Sequence, residues 1–385
     1  MQTLIKRTAQ LFLFNLATAS VLSARTWTDI DGRTLEAEFI QITDSVVVLQ
    51  RNYDRREFRI PFATLSQKDR EYLKTIIRKI TPSIEPTETI FPRYGLDWPR
   101  SAKAPLNLDI ERVEENFETA YYHYRTLNFD FHSNVKLARK VVTEFAEIFE
   151  ATLALVQVSP LNWNVEAPES RYQAYFYEHY NQFVAAGGIP GSAGSYRSSE
   201  RKIYVRLDVL GTRKTSTSIS LDGGDHRTLI HEITHQVQHE WLRKLPTWLV
   251  EGYAGYIERI PYSDRYFHID DMALDLSYGS RYSILSPYDL LNMTSSEWNA
   301  NFAEDSMLVG RQYYSAYLLT YYFMHLDGDG DGRRLWDFLR ALEKANSREA
   351  LIAAKHILLD GRGADELFKD VQDAFDDEGL DLEIF

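Results

Sequence analysis

Two short stretches carry the side chains best suited to chemistry. His231-Glu232-Ile233-Thr234-His235 places two imidazoles four residues apart. On a helix, positions i and i+4 lie on one face, one turn apart. Two imidazoles so placed can share one zinc ion. A carboxylate beside the first can take a proton from water that the ion activates. Trp248-Leu249-Val250-Glu251-Gly252 follows and offers Glu251 as a third ligand. A catalytic zinc takes three protein ligands and keeps one position open. His231, His235 and Glu251 are the candidate metal ligands, and Glu232 is the candidate general base. The chain has no cysteine, which excludes thiolate ligation, disulfides and a cysteine nucleophile.

Other residues compete for these roles. His268, with Asp270 and Asp271, is a rival source of the third ligand. His239 continues the series His231, His235, but two helical turns separate it from His231, too far for all three to share one ion. His123 and His132 lie outside any metal spacing and read as ordinary surface or strand histidines. Asp327-Gly328-Asp329-Gly330-Asp331-Gly332 begins like a calcium loop. Its twelfth position, where a bidentate Glu is needed, is Phe338, so the stretch reads as a turn between helices.

The elements that must position these residues are mainly helical. A helix is predicted from Asp225, a good N-cap, to Arg243, with Ile230, Ile233, Val237 and Trp241 as its buried stripe. Leu245-Pro246 stops it, and Pro246 suits the first position of a second helix that carries Glu251. Ala254 and Gly255 would let the helices approach closely. Leu108 to Val158 reads as largely helical, with strand character at Tyr121–Tyr124 and Phe129–Phe131. Lys202 to Leu207 alternates like a strand. Further helices are expected at Arg311–Leu326, Arg333–Lys344, Ser347–Leu359 and Ala364–Phe375.

His231-Glu232-Ile233-Thr234-His235-Gln236 with Pro246-Thr247-Trp248-Leu249-Val250-Glu251-Gly252-Tyr253-Ala254 resembles the gluzincin, or peptidase MA-like, zinc metallopeptidases, over roughly residues 108–350. The resemblance implies a helical C-terminal half packed on a β-containing half, with zinc in the cleft. It makes His231, His235 and Glu251 the ligands and Glu232 the base. Such enzymes place a tyrosine on a following helix as an oxyanion donor. Tyr313 fits best, with Tyr314 and Tyr317 as alternatives. They also use an edge strand to pair with extended substrate, and Gly194 to Leu207 is the candidate, against a strand with no substrate contact. The chain departs from the pattern at Gly255, where an acidic residue often orients a ligand histidine. Asp225, Glu258 and Asp270 are the substitutes the sequence offers.

The N-terminal part has another texture. Residues 1–24 read as an export signal: Lys6 and Arg7, an apolar run from Leu11 to Leu22, then small residues. The run is short for a membrane span, so a mature, exported chain is expected, secreted or periplasmic. Residues 25–80 read as a small β-unit, with strands around Arg25–Thr28, Leu35–Ile40, Val46–Gln50 and Glu57–Pro61 and a helix from Ser66 to Ile80. Arg25-Thr26-Trp27-Thr28, Asp31-Gly32-Arg33-Thr34, Ile60-Pro61 and Leu65-Ser66-Gln67-Lys68-Asp69 resemble the Sla-homology domain, an SH3-like module. This implies a protein-binding or packing role. Five prolines between Thr81 and Asn107 predict an extended linker.

The predicted class is thus α+β: a small SH3-like β-barrel module, then a mainly helical metallopeptidase-like domain over residues 108–385 with a β-containing half. The net charge of −13, without a basic block, argues against nucleic acid as a partner. A peptide or protein substrate, hydrolysed with Zn2+, is the expected function. The alternative is a non-catalytic zinc-binding or cell-envelope protein that keeps the fold.

Overall fold

The computed structural model describes residues 25–43, 46–51, 53–80, 98–105, 108–161, 163, 165, 170–210, 212–214, 219–221, 226–276, 279–301, 306–345 and 348–385. The expected export segment, most of the linker and Asp225 lie outside the described residues. The chain divides into two units, Met1–Ser83 and Ile84–Phe385, and both mix helix with sheet.

The first unit is an antiparallel meander, β1 (Arg25–Thr28), β2 (Thr34–Thr43), β3 (Val46–Arg51) and β4 (Glu57–Pro61), followed by α1 (Gln67–Ile80). The turn between β1 and β2 needs a positive φ, which Gly32 adopts at 80° without steric cost. Trp27, Ala37, Phe39, Val47 and Leu49 alternate inward and meet Leu65 and Leu73 in a small core. Asp69, in the first turn of α1, accepts hydrogen bonds from the Arg25 guanidinium, the Thr28 backbone and the Ser66 hydroxyl.

The second unit opens with β5 (Ser101–Lys103), which falls inside the stretch expected to be linker. Then come β6 (Glu111–Asn116), β7 (Tyr121–Arg125), β8 (Phe129–Ser133), α2 (Arg139–Gln157), β9 (Tyr172–Tyr177), α3 (Tyr180–Ala186), β10 (Gly194–Arg197), β11 (Lys202–Arg206) and the hairpin β12 (Thr212–Lys214) and β13 (Ile219–Leu221). The expected helical stretch from Leu108 is therefore half sheet. Three antiparallel strands precede α2, and the apolar positions Val135 and Leu137 lie before the helix starts. A six-stranded sheet runs in the order β10-β11-β9-β8-β7-β6. Phe129, Phe131, Ala174, Phe176, Ile203 and Val205 are fully buried along its inner face. The Phe145 and Phe149 rings of α2 pack on it, 4.6 Å from Phe176 and 5.1 Å from Phe129. β10 is an edge strand, paired antiparallel with β11.

The rest is mainly helical: α4 (Arg227–Val237), α5 (Thr247–Ile257), strands β14 (Tyr262–Ser263), β15 (Tyr266–His268) and β16 (Arg281–Ile284), then α6 (Pro287–Asn292), α7 (Ser295–Ala300), α8 (Ser306–His325), α9 (Arg333–Lys344), α10 (Arg348–Leu359), α11 (Ala364–Asp377) and β17 (Asp381–Ile384). β5 joins β14 and β15 in a small sheet, and β17 pairs parallel with β16. The Asp-Gly repeat forms the turn between α8 and α9. Asp327 is buried there against the guanidinium groups of Arg334 and Arg362 rather than presented to a cation. Among the described residues, no helix is long and apolar enough to cross a membrane.

α5 packs closely on α8 at Gly252. A Cβ built on Gly252 would stand 2.3 Å from both the Ala316 carbonyl oxygen and the Thr320 hydroxyl of α8. Gly310, on the exposed part of α8, has nothing within 4 Å. Gly252→Ala should therefore cost about 1–3 kcal/mol by overpacking. Gly310→Ala should be neutral or stabilise by up to about 1 kcal/mol through helix propensity. Urea unfolding of the two variants beside the parent chain checks the pair.

Candidate metal centre

α4 and α5 build the centre. α4 ends at Val237, six residues before the expected end at Arg243. The chain then turns through short backbone bonds, Trp241 to Gln238 and Leu245 to Trp241. Trp241 stays buried because its ring meets Trp163 edge-on at 5.3 Å and its indole N–H donates to the Trp163 carbonyl. Helical spacing and tertiary packing thus select the same residue for different reasons. Pro246 is the extended cap of α5, one position before the expected first turn.

Within α4, Leu229, Ile230, Ile233 and Val237 face the core. His231 and His235 stand one turn apart on the adjacent face, their rings 4.6 Å apart and nearly perpendicular. α5 brings Glu251 between them. Its Oε2 lies 3.2 Å from His231 Nε2 and 3.3 Å from His235 Nε2. Donors arranged tetrahedrally about 2.0–2.1 Å from a zinc ion stand about 3.3–3.4 Å apart. The two distances from Glu251 match that spacing, and one ligand atom of each of the three residues lies within 4.8 Å of the others.

The orientation of His231 comes from Glu258, one of the three substitutes left open by Gly255. Glu258 Oε2 lies 2.9 Å from His231 Nδ1, so the N–H at Nδ1 donates to it and Nε2 faces Glu251. Asp270 is exposed and paired with Arg100 at 3.7 Å. His268, the rival ligand, bonds to Ser263 and is not part of the cluster. His239 bonds through Nδ1 to the Tyr196 hydroxyl at 2.7 Å. His123 and His132 lie on neighbouring strands, held by Asp130 and by Gln173 and Tyr121.

The electrostatics follow from burial and pairing. Burial opposes a charge on His231, but the Glu258 and Glu251 carboxylates outweigh it and raise its pKa. Burial likewise opposes a charge on Glu251, but His235 and His231 hold its carboxyl well below the usual range. Glu232 behaves oppositely. Burial pushes its pKa up, and His231 and His235 only partly counter this. The Tyr196 backbone also hydrogen-bonds to Glu232. β10 passes close by: a Cβ on Gly194 would stand 3.2 Å from both the Glu232 Cγ and the Thr228 methyl.

Of the three candidate tyrosines on α8, Tyr313 reaches the centre. Its ring lies 6.2 Å from that of His231 and edge-on to the buried Trp298 at 5.5 Å. Burial, then Glu251, Glu232 and Glu258, push its pKa far up, so the hydroxyl stays protonated. Tyr314 and Tyr317 turn instead to the backbone of Asp275. Trp298 and Asp275 carry no motif, and their nearness emerges only from the fold. Comparison of the chain with protein-family models, curated proteins and solved structures finds no match.

A metal bound here should be lost with any one of the three donors and indifferent to the rival. Elemental mass spectrometry should find one zinc ion per chain in the parent protein and in His268→Ala. His231→Ala and Glu251→Ala should retain little after dialysis.

Proposed function

We propose that the protein is an exported, zinc-dependent peptidase of the gluzincin kind. The observation that carries this reading is the convergence of His231 Nε2, His235 Nε2 and Glu251 Oε2, with Glu232 next along α4. The donor set is two imidazoles and one carboxylate, which suits zinc in a site with an open position. When bound, the ion would lower the pKa of a water molecule and polarise a substrate carbonyl.

The chain's own residues supply the rest. Glu232, its pKa raised by burial, is suited to accept a proton from the attacking water. It then passes that proton to the departing amine as the amide C–N bond breaks. Tyr313, kept protonated, donates to the oxyanion that develops on the former carbonyl.

The edge position of β10 supports a peptide substrate, with the Tyr196 backbone already bonded to Glu232. The Arg206 N–H bonds to the Ala193 carbonyl, which makes that pair a hydrogen-bonded one. In an antiparallel ladder the bonded and non-bonded pairs alternate, so the backbone groups of Gly194 and Tyr196 point outward. An extended peptide can add to such an edge. Gly194, without a side chain, leaves that edge close to Glu232. The alternative is a zinc protein without turnover; Glu258 in the orienting role that Gly255 cannot fill favours the peptidase reading.

Glu232→Gln should lower hydrolysis of a quenched peptide library by about 10²–10⁴-fold while zinc content and melting temperature stay at parent values. Tyr313→Phe should lower kcat by about 10²-fold or more, with little change in KM. Parent-level turnover by Glu232→Gln would place the base elsewhere.

A further inference from the structure

Behind the metal-facing side chains lies an arginine that the chemistry above does not use. The Arg259 side chain is only 11% exposed. Its NH1 donates to Glu258 Oε1 at 2.6 Å and to the Gly255 carbonyl at 2.7 Å. Its Nε donates to Asp275 Oδ2 at 2.9 Å. The guanidinium also lies 4.4 Å over the Tyr317 ring. Asp275 is pinned in turn by α8: its N–H donates to the Tyr317 hydroxyl at 3.2 Å, and its carbonyl accepts from the Tyr314 hydroxyl at 2.5 Å. Arg227 NH1 stands 3.7 Å from the same Asp275 carboxylate.

These contacts form one unbroken chain from α8 to the metal-facing imidazole: Tyr314 and Tyr317, Asp275, Arg259, Glu258, His231. We propose that Arg259 is a positioning residue, which acts through Glu258 to fix the tautomer and ring orientation of His231. The inference rests on His231 being a metal ligand, as read above. The reason is geometric. A carboxylate has two oxygens, and Glu258 spends Oε2 on His231. Arg259 holds the other, so the carboxylate cannot rotate away from the imidazole. A planar guanidinium can bridge Glu258 and Asp275 at once, whereas a lysine ammonium is a point charge that cannot span both. Without a cation beside it, a carboxylate this buried carries a large desolvation cost.

Gly255 has a place in the same arrangement. A Cβ there would make only ordinary contact with Arg259 NH1, at 3.4 Å. The Gly255 carbonyl accepts from the guanidinium, and the orienting carboxylate stands at Glu258.

The test is the zinc dissociation constant, measured by competition with a chromophoric chelator on the full chain. Glu258→Gln should weaken zinc about 10–100-fold, as loss of an outer-shell partner does. Arg259→Met should weaken it at least about tenfold by the same route. If Arg259 acts through Glu258, the double variant Glu258→Gln/Arg259→Met should bind zinc within about twofold of Glu258→Gln alone. Arg259→Lys should remain weakened. That double variant also removes both charges of the Glu258–Arg259 pair while Arg227 stays beside Asp275, so it guards against misfolding, and its apo melting temperature should stay near the parent's. Parent-level zinc affinity in the Arg259 variants, or a double variant that loses the product of both single effects, would overturn the inference while leaving the metal centre intact. Absence of zinc binding by the parent chain would instead overturn the metal reading itself.

Discussion

Everything at the candidate site depends on one approach: α5 sets a carboxylate oxygen within 3.3 Å of two imidazole nitrogens on α4. That is a demanding arrangement for a folded chain. Glu232, Glu251 and Glu258 all sit in one poorly solvated region, and carboxylates taken out of water cost several kcal/mol each unless paired. Three features offset the cost. Two histidines face Glu251, and His231 and Arg259 share Glu258. Two imidazoles and a carboxylate are also the donor chemistry that a dication fits, and a bound dication would offset the charge further. Charge in this region serves geometry more than stability.

The surrounding fold holds that geometry from three sides. The sheet ends in β10, whose Gly194 runs against Glu232 and Thr228. Below, the apolar face of α4 is buried among the α2 side of the core. On the far side α8 meets α5 so closely at Gly252 that no side chain fits. The same helix supplies Tyr313 to the centre and Tyr314 and Tyr317 to Asp275. A displacement of α8 would therefore move Tyr313 and slacken the support of His231 together.

The central residues were legible because their chemistry is written in spacing. His231, Glu232 and His235 need only one helical turn, and Glu251 needs only a short second helix. Glu258 was readable as one of three choices. It lies seven residues past Glu251, two turns on and so on the same helical face, whereas Asp270 lies beyond α5. Other features left no such trace. β6 is charged and exposed, so no apolar alternation marks it as a strand. Trp241 keeps helical spacing although the helix has ended at Val237. Tyr313, Tyr314 and Tyr317 are equivalent by type, and only the rotation of α8 separates the one facing His231 from the two facing Asp275. The Arg259–Asp275 pair joins α5 to a segment between β15 and β16 that carries no pattern.

The most direct test of the account is X-ray absorption at the zinc edge of the metal-loaded full chain. The account predicts two imidazole ligands, with the remaining scatterers oxygen at about 2.0–2.1 Å. Loss of one imidazole shell in His235→Ala should follow. A spectrum with three or more imidazoles, or with none, would contradict the His231, His235 and Glu251 site.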